Sequence, residues 1–478
     1  MPKNPGAAAF PSAAVERVAT AARSGCWRAG RRREATPRAA AAPTGCRTRV
    51  LAFAAVPYDV AIVGAGYVGV PLAQVFGDAG KSVVLVDVDE ERVAMLNRGD
   101  SYIEDVPPDV LRALVERKRL SATTDYDALR EADAILIALP TPLSRQREPD
   151  LEIVRTASEQ IAKRLRPGHL VVLESTTYPG TTRDEVRPIL ERGSGLVAGT
   201  DFHLAFSPER VDPGRVDWTT KTVPKIVGGI DDASTEAAAA LYGSAIDTIH
   251  RVSSPEAAEL TKLLENIFRS VNIALVNELA QLCGRLGIDV WEVVDAAATK
   301  PFGFMRFDPG PGLGGHCIPI DPFYLTWKAR EVDFTTEFIE LAGKVNADMP
   351  YYCRSVVSQA LNHGAGKSLS RSRILVLGVA YKADIADMRE SPAVKLIELL
   401  NKAGADVSYH DPHVPSFREH GLAMTAVPYE PGAYDAVVIT TAHAAIDYAQ
   451  LVEDANLVVD FRNATGRAGV ASPKIWKF

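Results

Sequence analysis

Cysteine is scarce in this 478-residue sequence: Cys26, Cys46, Cys283, Cys317 and Cys353 are all there is. The number is odd and no two form a CxxC pair, so neither a disulfide framework nor a structural zinc or other metal site is supported. A reducing compartment, the cytoplasm, fits best. Long apolar runs are missing too. Nothing approaches the ~20 residues that cross a bilayer, and nothing near the start resembles an uninterrupted signal-peptide core, so no membrane association is expected. Excess positive charge is also absent. The formal net charge is −7, which argues against a nucleic-acid partner held on a broad basic surface. The ligand must therefore be sought in a pocket.

What is present is a folded, multidomain composition, with 47% hydrophobic and 24% charged residues in a chain too long for one ordinary core. Residues 1–57 differ from the rest. They are rich in alanine and arginine (RAGRRREATPRAAAAP) and hold only Glu16 and Glu34 as acids. Such a segment buries little. It reads as a disordered basic leader, with an organelle-type targeting segment as the sharper alternative.

From Tyr58 the pattern changes. YDVAIVGAGYVGVPLAQVFGDAGKSVVLVDVD gives an apolar strand, a glycine turn, an apolar-faced helix and a second strand ending in Asp87. In the turn, Gly64 makes the tight bend, Gly66 lets the backbone approach a pyrophosphate, and Gly69 packs helix on strand. Tyr67 and Val68 lie between these glycines, and the helix amino terminus faces the phosphates. Asp87 stands where a carboxylate accepts from an adenosine ribose and repels a 2′-phosphate, which favours NAD over NADP. Further strands are expected in DAILIALPTP, HLVVLESTTYPGTT and DFHLAFSPER. Their carboxyl ends should aim Thr141, Glu174, Ser175, Thr176 and Glu209 into one cleft.

A second pattern of this kind starts near Arg373: RILVLGVAYK, a helix opened by Ser391 and Pro392, then a strand closed by Asp411. It lacks GxGxxG. A nucleotide diphosphate held by Lys382 and a purely structural domain both remain open. Between the two patterns, residues 254–287 carry Leu260, Leu263, Leu264, Ile267, Val271, Leu275, Leu279 and Leu282 at helical spacing. One long helix with a wide apolar stripe is expected there, as a bridge between domains and as a dimer contact. The fold class is thus α/β, with two Rossmann-like doubly wound domains joined by a central helical domain.

On that helix Lys262 and Asn266 are four residues apart and share a face. A solvated polar face is the plain alternative. Cys317 lies in GPGLGGHCIPIDPFY, where Gly312, Gly314 and Gly315 allow the backbone to approach a ligand and Asp321 follows a short turn later. A lone cysteine is more often a small buried hydrophobe. A thiol beside a carboxylate, near an NAD cleft, suits a dehydrogenase that captures an aldehyde covalently. His316 points the other way in an extended loop and reads as structural.

GAGYVG, ESTTYPGTT, SPERVDPG, TKLLEN, GGHCIPIDP and YKADIADMRESP, in this order, resemble the UDP-glucose/GDP-mannose dehydrogenase family across residues 58–466. SPERVDPG together with PGLGGHCIPIDPFY is similar to the branch acting on UDP-N-acetylhexosamines. The resemblance implies a four-electron oxidation of the sugar C6 alcohol to a carboxylate with two NAD in turn. Lys262 would serve the alcohol step as base or alkoxide stabiliser. Cys317 would add to the aldehyde, giving a thiohemiacetal and then a thioester, with Lys262 and Asn266 on the oxyanion. Glu209 with Asp321 would position or deprotonate the hydrolytic water, and Thr176 would hold it.

Arg306 matches an arginine that reaches the neighbouring subunit's substrate, with a surface ion pair as the plain alternative. Lys382, Arg389 and Arg462 match positions facing the UDP phosphates or the domain interface, and Arg92 fits the adenosine end of the NAD site. The implied layout is an NAD-binding domain at 58–250, a central dimerising domain with the cysteine loop at 251–350, and a UDP-sugar-binding domain at 370–478. The chain departs from the UDP-glucose branch at Pro213, where that branch has a second glutamate, so Glu209 acts alone or with Asp321. UDP-glucose 6-dehydrogenase is the nearest alternative. A two-electron hydroxyacid dehydrogenase and a non-catalytic nucleotide-binding protein are more remote.

Overall fold

The computed structural model describes residues 58–478 apart from 104, 145–147, 212–216 and 316. The leader expected at 1–57, Pro213 and His316 lie outside the described residues. Eight strands form the first sheet: β1 (Tyr58–Val63), β2 (Val83–Val86), β3 (Leu120–Thr123), β4 (Ala132–Ile137), β5 (Leu170–Leu173), β6 (His203–Phe206), β7 (Lys225–Gly229) and β8 (Ile249–Arg251). Their order is β3-β2-β1-β4-β5-β6-β7-β8. β1 to β6 run parallel, and β7 turns antiparallel to β6. VVLV in β2 and LVVL in β5 are buried at every position, as strands covered by helices on both faces must be. The chain reverses its winding between β1 and β4, which opens a crevice at their carboxyl ends.

The strands are shorter than the sequence pattern suggests. β4 stops at Ile137, β5 at Leu173 and β6 at Phe206, so Thr141, Glu174 to Thr176 and Glu209 stand on loops leaving the strand ends.

The second sheet has β9 (Arg373–Leu377), β10 (Asp406–His410), β13 (Ala436–Ile439), β14 (Val458–Asp460) and β15 (Ile475–Trp476) in the order β10-β9-β13-β14-β15, all parallel. A hairpin of β11 (Ser416–Glu419) and β12 (Leu422–Thr425) stands apart. Asp411, the counterpart of Asp87, is consumed by its own domain. It accepts from the N–H groups of Val379 (2.7 Å), Ala380 (3.0 Å), His413 and Val414, and meets His443 Nε2 at 3.1 Å. Burial works against its charge, but the His443 ring and these donors outweigh it and hold the carboxyl down at about 2. No lone pair faces outward for a ribose. Asp384, His413 and His443 come together nearby, yet His443 also accepts the Asp384 N–H at Nδ1 (3.0 Å), which leaves neither ring nitrogen free for a cation.

Two long helices link the sheets. Pro255–Leu286 begins at a Ser254 cap and ends at left-handed Gly287, and Glu337–Gly364 packs against it. The second helix runs unbroken through residue 350, where the sequence reading ends the central segment. The first inverts the usual amphipathic rule. It buries Glu259, Lys262, Asn266, Ser270 and Asn277 with Leu263 and Ile267, and exposes Leu260, Leu264, Leu275, Leu279 and Leu282.

Buried amides need partners, and here they make a chain across both helices. Asn346 donates to the Ser270 carbonyl (3.0 Å), Asn277 donates to Asn346 (2.9 Å), and Asn277 accepts from the Gly310 N–H (2.9 Å). Substituting Asn346→Leu orphans two of these groups, and the expected loss is about 2–4 kcal/mol in urea unfolding, with the slope unchanged.

Candidate active site

The glycine turn behaves as its spacing requires. Gly64 has φ +106°, and a Cβ there would lie 2.4 Å from the Ala138 carbonyl oxygen. A Cβ on Gly69 would stand 1.9 Å from the Gly64 carbonyl oxygen, whereas one on Gly66 would meet nothing within 4 Å. Gly66 therefore faces open space, the place a pyrophosphate needs. Asp87 Oδ2 accepts the Ala65 N–H at 2.7 Å and Oδ1 the Asp89 N–H at 3.0 Å, so each oxygen keeps a lone pair for a ribose hydroxyl. Arg92 pairs with Asp89 at 3.3 Å and lies over the Tyr102 ring.

From this turn a cavity of about 1990 Å³ extends to the second sheet, about twice the upper end for a single small-ligand pocket. Gly64, Gly66, Tyr67, Val68, Asp87 and Arg92 line one end, and Lys382 and Arg462 the other. Thr141, Glu174, Thr176, Glu209, Lys262, Asn266, Cys317 and Asp321 lie between, with Arg306 and Gly314 at the cysteine loop. Of the residues singled out in the sequence, Gly69 is not on this wall. It is packed beneath the turn.

The cysteine loop is glycine-rich because it threads between two solid bodies. A Cβ on Gly314 would lie 2.5 Å from Tyr381 Cβ, and one on Gly310 2.5 Å from an Arg462 guanidinium nitrogen. Gly312 and Gly315 take φ +137° and +87°, which L side chains avoid. The Gly315 N–H donates to the Arg389 carbonyl (2.9 Å), and the Arg389 guanidinium stacks 4.8 Å over the Tyr67 ring. The loop then starts a helix, Asp321–Ala329, whose Asp321 N–H donates to the Cys317 carbonyl at 2.8 Å. Tyr324 on that helix donates to the Thr141 carbonyl, and Thr141 donates to the Thr176 carbonyl at 2.6 Å.

Asn266 Nδ2 donates to Asp321 Oδ2 at 2.5 Å, with Lys262 one turn earlier on the same buried face. Burial pushes Asp321 up to about 6, with the Lys262 charge and the Asn266 amide pulling the other way. Burial also pushes the Cys317 thiol up to about 11; Asp321 adds to this, while Lys262, Arg389 and Arg269 oppose it. At rest the sulfur is a thiol.

Glu174 lines the cavity, and its carboxylate is already engaged by the protein. The Glu174 side chain turns inward: Oε2 meets Lys225 Nζ at 2.7 Å and Oε1 accepts the Tyr242 hydroxyl. Its carboxylate is wholly committed to the interior, and burial raises its pKa. Arg306 sits at the rim, paired with Asp295 (2.5 Å) and Asp308 (2.9 Å).

Three residues escaped the sequence reading. Arg269 extends the Lys262–Asn266 face by one more turn, a spacing that was visible. Lys225, a charge opening the apolar strand KIVGG, was visible as an oddity. Tyr324 carried no signal of its own.

The raised Asp321 has a measurable consequence. Between its ordinary 3.8 and about 6 the folded protein keeps a proton that the unfolded chain has lost, so stability falls as pH rises through this window. Asparagine escapes that cost. The stability of Asp321→Asn minus that of the wild type should increase by roughly 3 kcal/mol between about pH 4 and pH 7 in denaturant melts, while turnover collapses. A difference independent of pH would contradict the burial argument.

Comparison with known proteins agrees with this geometry. Models of the UDP-glucose/GDP-mannose dehydrogenase family match in sequence: its NAD binding domain at residues 58–246, its central domain at 256–348 and its UDP binding domain at 375–467. The Protein CapL of Staphylococcus aureus is 35% identical over 88% of this chain and 99% of its own. The UDP-N-acetyl-D-glucosamine 6-dehydrogenase of Pseudomonas aeruginosa is 36% identical over 80% of this chain and 90% of its own. The solved UDP-D-ManNAc dehydrogenase of Pyrococcus horikoshii superposes with a TM-score of 0.79 at 31% identity, covering 87% of this chain and 98% of that one. The chain belongs to the UDP-glucose/GDP-mannose dehydrogenase family and is an NAD-dependent oxidoreductase of nucleotide sugars.

Proposed function

We propose that the protein oxidises the C6 hydroxyl of a UDP-N-acetylhexosamine, UDP-N-acetylglucosamine or UDP-N-acetylmannosamine, to the uronic acid, in the cytoplasm and in the service of polysaccharide synthesis. The observation that carries this reading is that Lys262, Asn266, Cys317 and Asp321 line the same cavity as the Gly66 turn at one end and Lys382 and Arg462 at the other. Relatives named for UDP-N-acetylhexosamines support the sugar. A reducing compartment keeps a catalytic thiol available.

NAD, when bound, supplies the hydride acceptor for both oxidations. Asp87 would hold its adenosine ribose with Arg92 alongside, and Gly64, Gly66, Tyr67 and Val68 would carry its phosphates. Lys382 and Arg462 would hold the UDP diphosphate, and Gly314 leaves room for the sugar. In the first oxidation Lys262 takes the hydroxyl proton, directly or through water, or stabilises the alkoxide left when water takes it. The Cys317 thiol then adds to the C6 aldehyde as its proton leaves, and Asp321 is a fitting acceptor because its pKa lies near 6. Lys262 and Asn266 stabilise the oxyanion, about 3 kcal/mol for each well-placed donor. The second oxidation leaves a thioester on Cys317. Glu209 takes a proton from the hydrolytic water, which Thr176 holds.

The exposed leucines of the helix Pro255–Leu286 suit a second copy of the chain, since an apolar row of this length on a soluble protein marks an interface. Arg306, at the rim, would then reach the neighbour's substrate. The double variant Leu275→Glu/Leu279→Glu should elute as a monomer on size exclusion and lose most turnover; an unchanged elution volume would refute the dimer helix.

The decisive assay is a panel of UDP-sugars with NAD, scored as NADH per sugar consumed. Two NADH per UDP-N-acetylhexosamine are expected, and Cys317→Ala should lower four-electron turnover by at least about a thousandfold. Turnover confined to UDP-glucose would replace the sugar assignment, and a fully active Cys317→Ala giving one NADH would replace the mechanism.

A further inference from the structure

Lys225 opens β7 and is only 4% exposed, a costly place for an ammonium unless it is paired. Its Nζ lies 2.7 Å from Glu174 Oε2, 3.1 Å from the Pro208 carbonyl oxygen and 3.7 Å from Glu209 Oε2. It also stands 5.3 Å from the centroid of the Tyr242 ring, whose hydroxyl donates to Glu174. Two carboxylates therefore share one ammonium. They differ in what surrounds them. Both line the cavity, but Glu174 is buried with each oxygen engaged by the protein, whereas Glu209 is partly exposed to it. Glu209 Oε1 accepts from the N–H groups of Arg210 and Val211, both at 2.8 Å. Oε2, the oxygen nearest Lys225, is the one left with lone pairs for a water.

We propose that Lys225 is a positioning residue for thioester hydrolysis: it holds the Glu209 carboxylate in place and sets Oε2 toward the water. This rests on the reading of Glu209 given above. In the step itself, Oε2 takes a proton from the water as the water oxygen bonds to the thioester carbonyl carbon. The carbon–sulfur bond then breaks, sulfur leaves as thiolate and is reprotonated, and the uronate is released. No further oxidant is consumed.

Glu209 faces Lys225 from β7, Glu174 from the loop after β5 and Tyr242 from the helix Asp232–Gly243. Neighbouring Arg210 is drawn away to Glu265 and the Pro224 carbonyl, both at 2.5 Å. Lys262, Arg269 and Asp321 face the same cavity. Lys225 and Glu174 change in the test below, with a Glu209 variant as the control.

The test follows the acyl group on Cys317. Enzyme, NAD and whichever of UDP-N-acetylglucosamine or UDP-N-acetylmannosamine turns over are mixed, quenched with acid at intervals, and read by intact mass across a pH series. In Lys225→Met the adduct should persist at least about tenfold longer at neutral pH, and the acid limb of its hydrolysis should move up by about one pH unit, because Glu209 loses its cation. In Glu174→Gln the ammonium is left to Glu209 alone, so the limb should move down. A purely structural ion pair shifts neither limb. Lys225→Arg should restore the wild-type limb.

Adduct clearance at the wild-type rate in Lys225→Met, or an unmoved limb in Glu174→Gln, overturns the proposal. Should Lys225→Met fail to fold, Glu174→Gln decides alone by the direction of its limb. Glu209→Gln is the control. Two NADH formed with no lasting adduct in that variant would overturn the reading of Glu209 itself, and this proposal with it.

Discussion

The space between Gly314 and Tyr381 is too small for one methyl group, since a Cβ on the glycine would lie 2.5 Å from that of the tyrosine. That close approach sets the position of the cysteine loop against the second α/β unit. Asn277 fixes the start of the loop through the Gly310 N–H, and the Arg389 carbonyl fixes Gly315. Tyr324 then ties the following helix to the Thr141 carbonyl in the first unit. Cys317 is thus located by three bodies at once, which is how a thiol on an irregular segment attains the placement that covalent chemistry demands. Glycine serves here by what it lacks.

The charges around the thiol are arranged for restraint before reaction. A cysteine held up at about 11 is overwhelmingly protonated at neutral pH, and a protonated thiol resists oxidation and stray alkylation. Asp321 contributes to that restraint while its own charge is costly. Lys262, Arg269 and Arg389 pull the other way. A positive charge brought into the cavity, such as that of an oxidised nicotinamide, would lower the thiol pKa from that starting point.

Much of this was legible in the sequence because the signals are local. The Gly64–Gly66–Gly69 turn, Asp87 at the end of β2 and the Lys262–Asn266 spacing each reduce to a short-range geometric rule, and the structure places them as those rules require. The partners of Glu174 were not legible, for the opposite reason. Its strand end does open on the cleft, but Lys225 and Tyr242, 51 and 68 residues later, draw its carboxylate inward. The amide chain Ser270–Asn346–Asn277 was likewise invisible, since it joins helices that meet only in three dimensions. The strands looked longer than they are because the apolar pattern runs on into loops whose side chains, Tyr178 among them, pack against the central helices rather than within the sheet.

The inverted long helix draws these threads together. Most helices of soluble proteins bury leucine and expose lysine, but this one buries Glu259, Lys262 and Asn266 and exposes Leu264, Leu275 and Leu282. Glu259 accepts from the Gly180 N–H (2.6 Å), the Thr182 N–H (2.9 Å) and the Thr182 hydroxyl (2.7 Å). Burial lifts it to about 7 against the pull of those donors. It fastens the helix to the loop that also carries Thr176, one turn before Lys262. A helix whose polar face is occupied by catalysis and anchoring has only its apolar face left for contact with anything else. Displacing it by even one ångström would move Lys262 and Asn266 relative to Cys317, so anything docked on the leucines would bear on the geometry of the site.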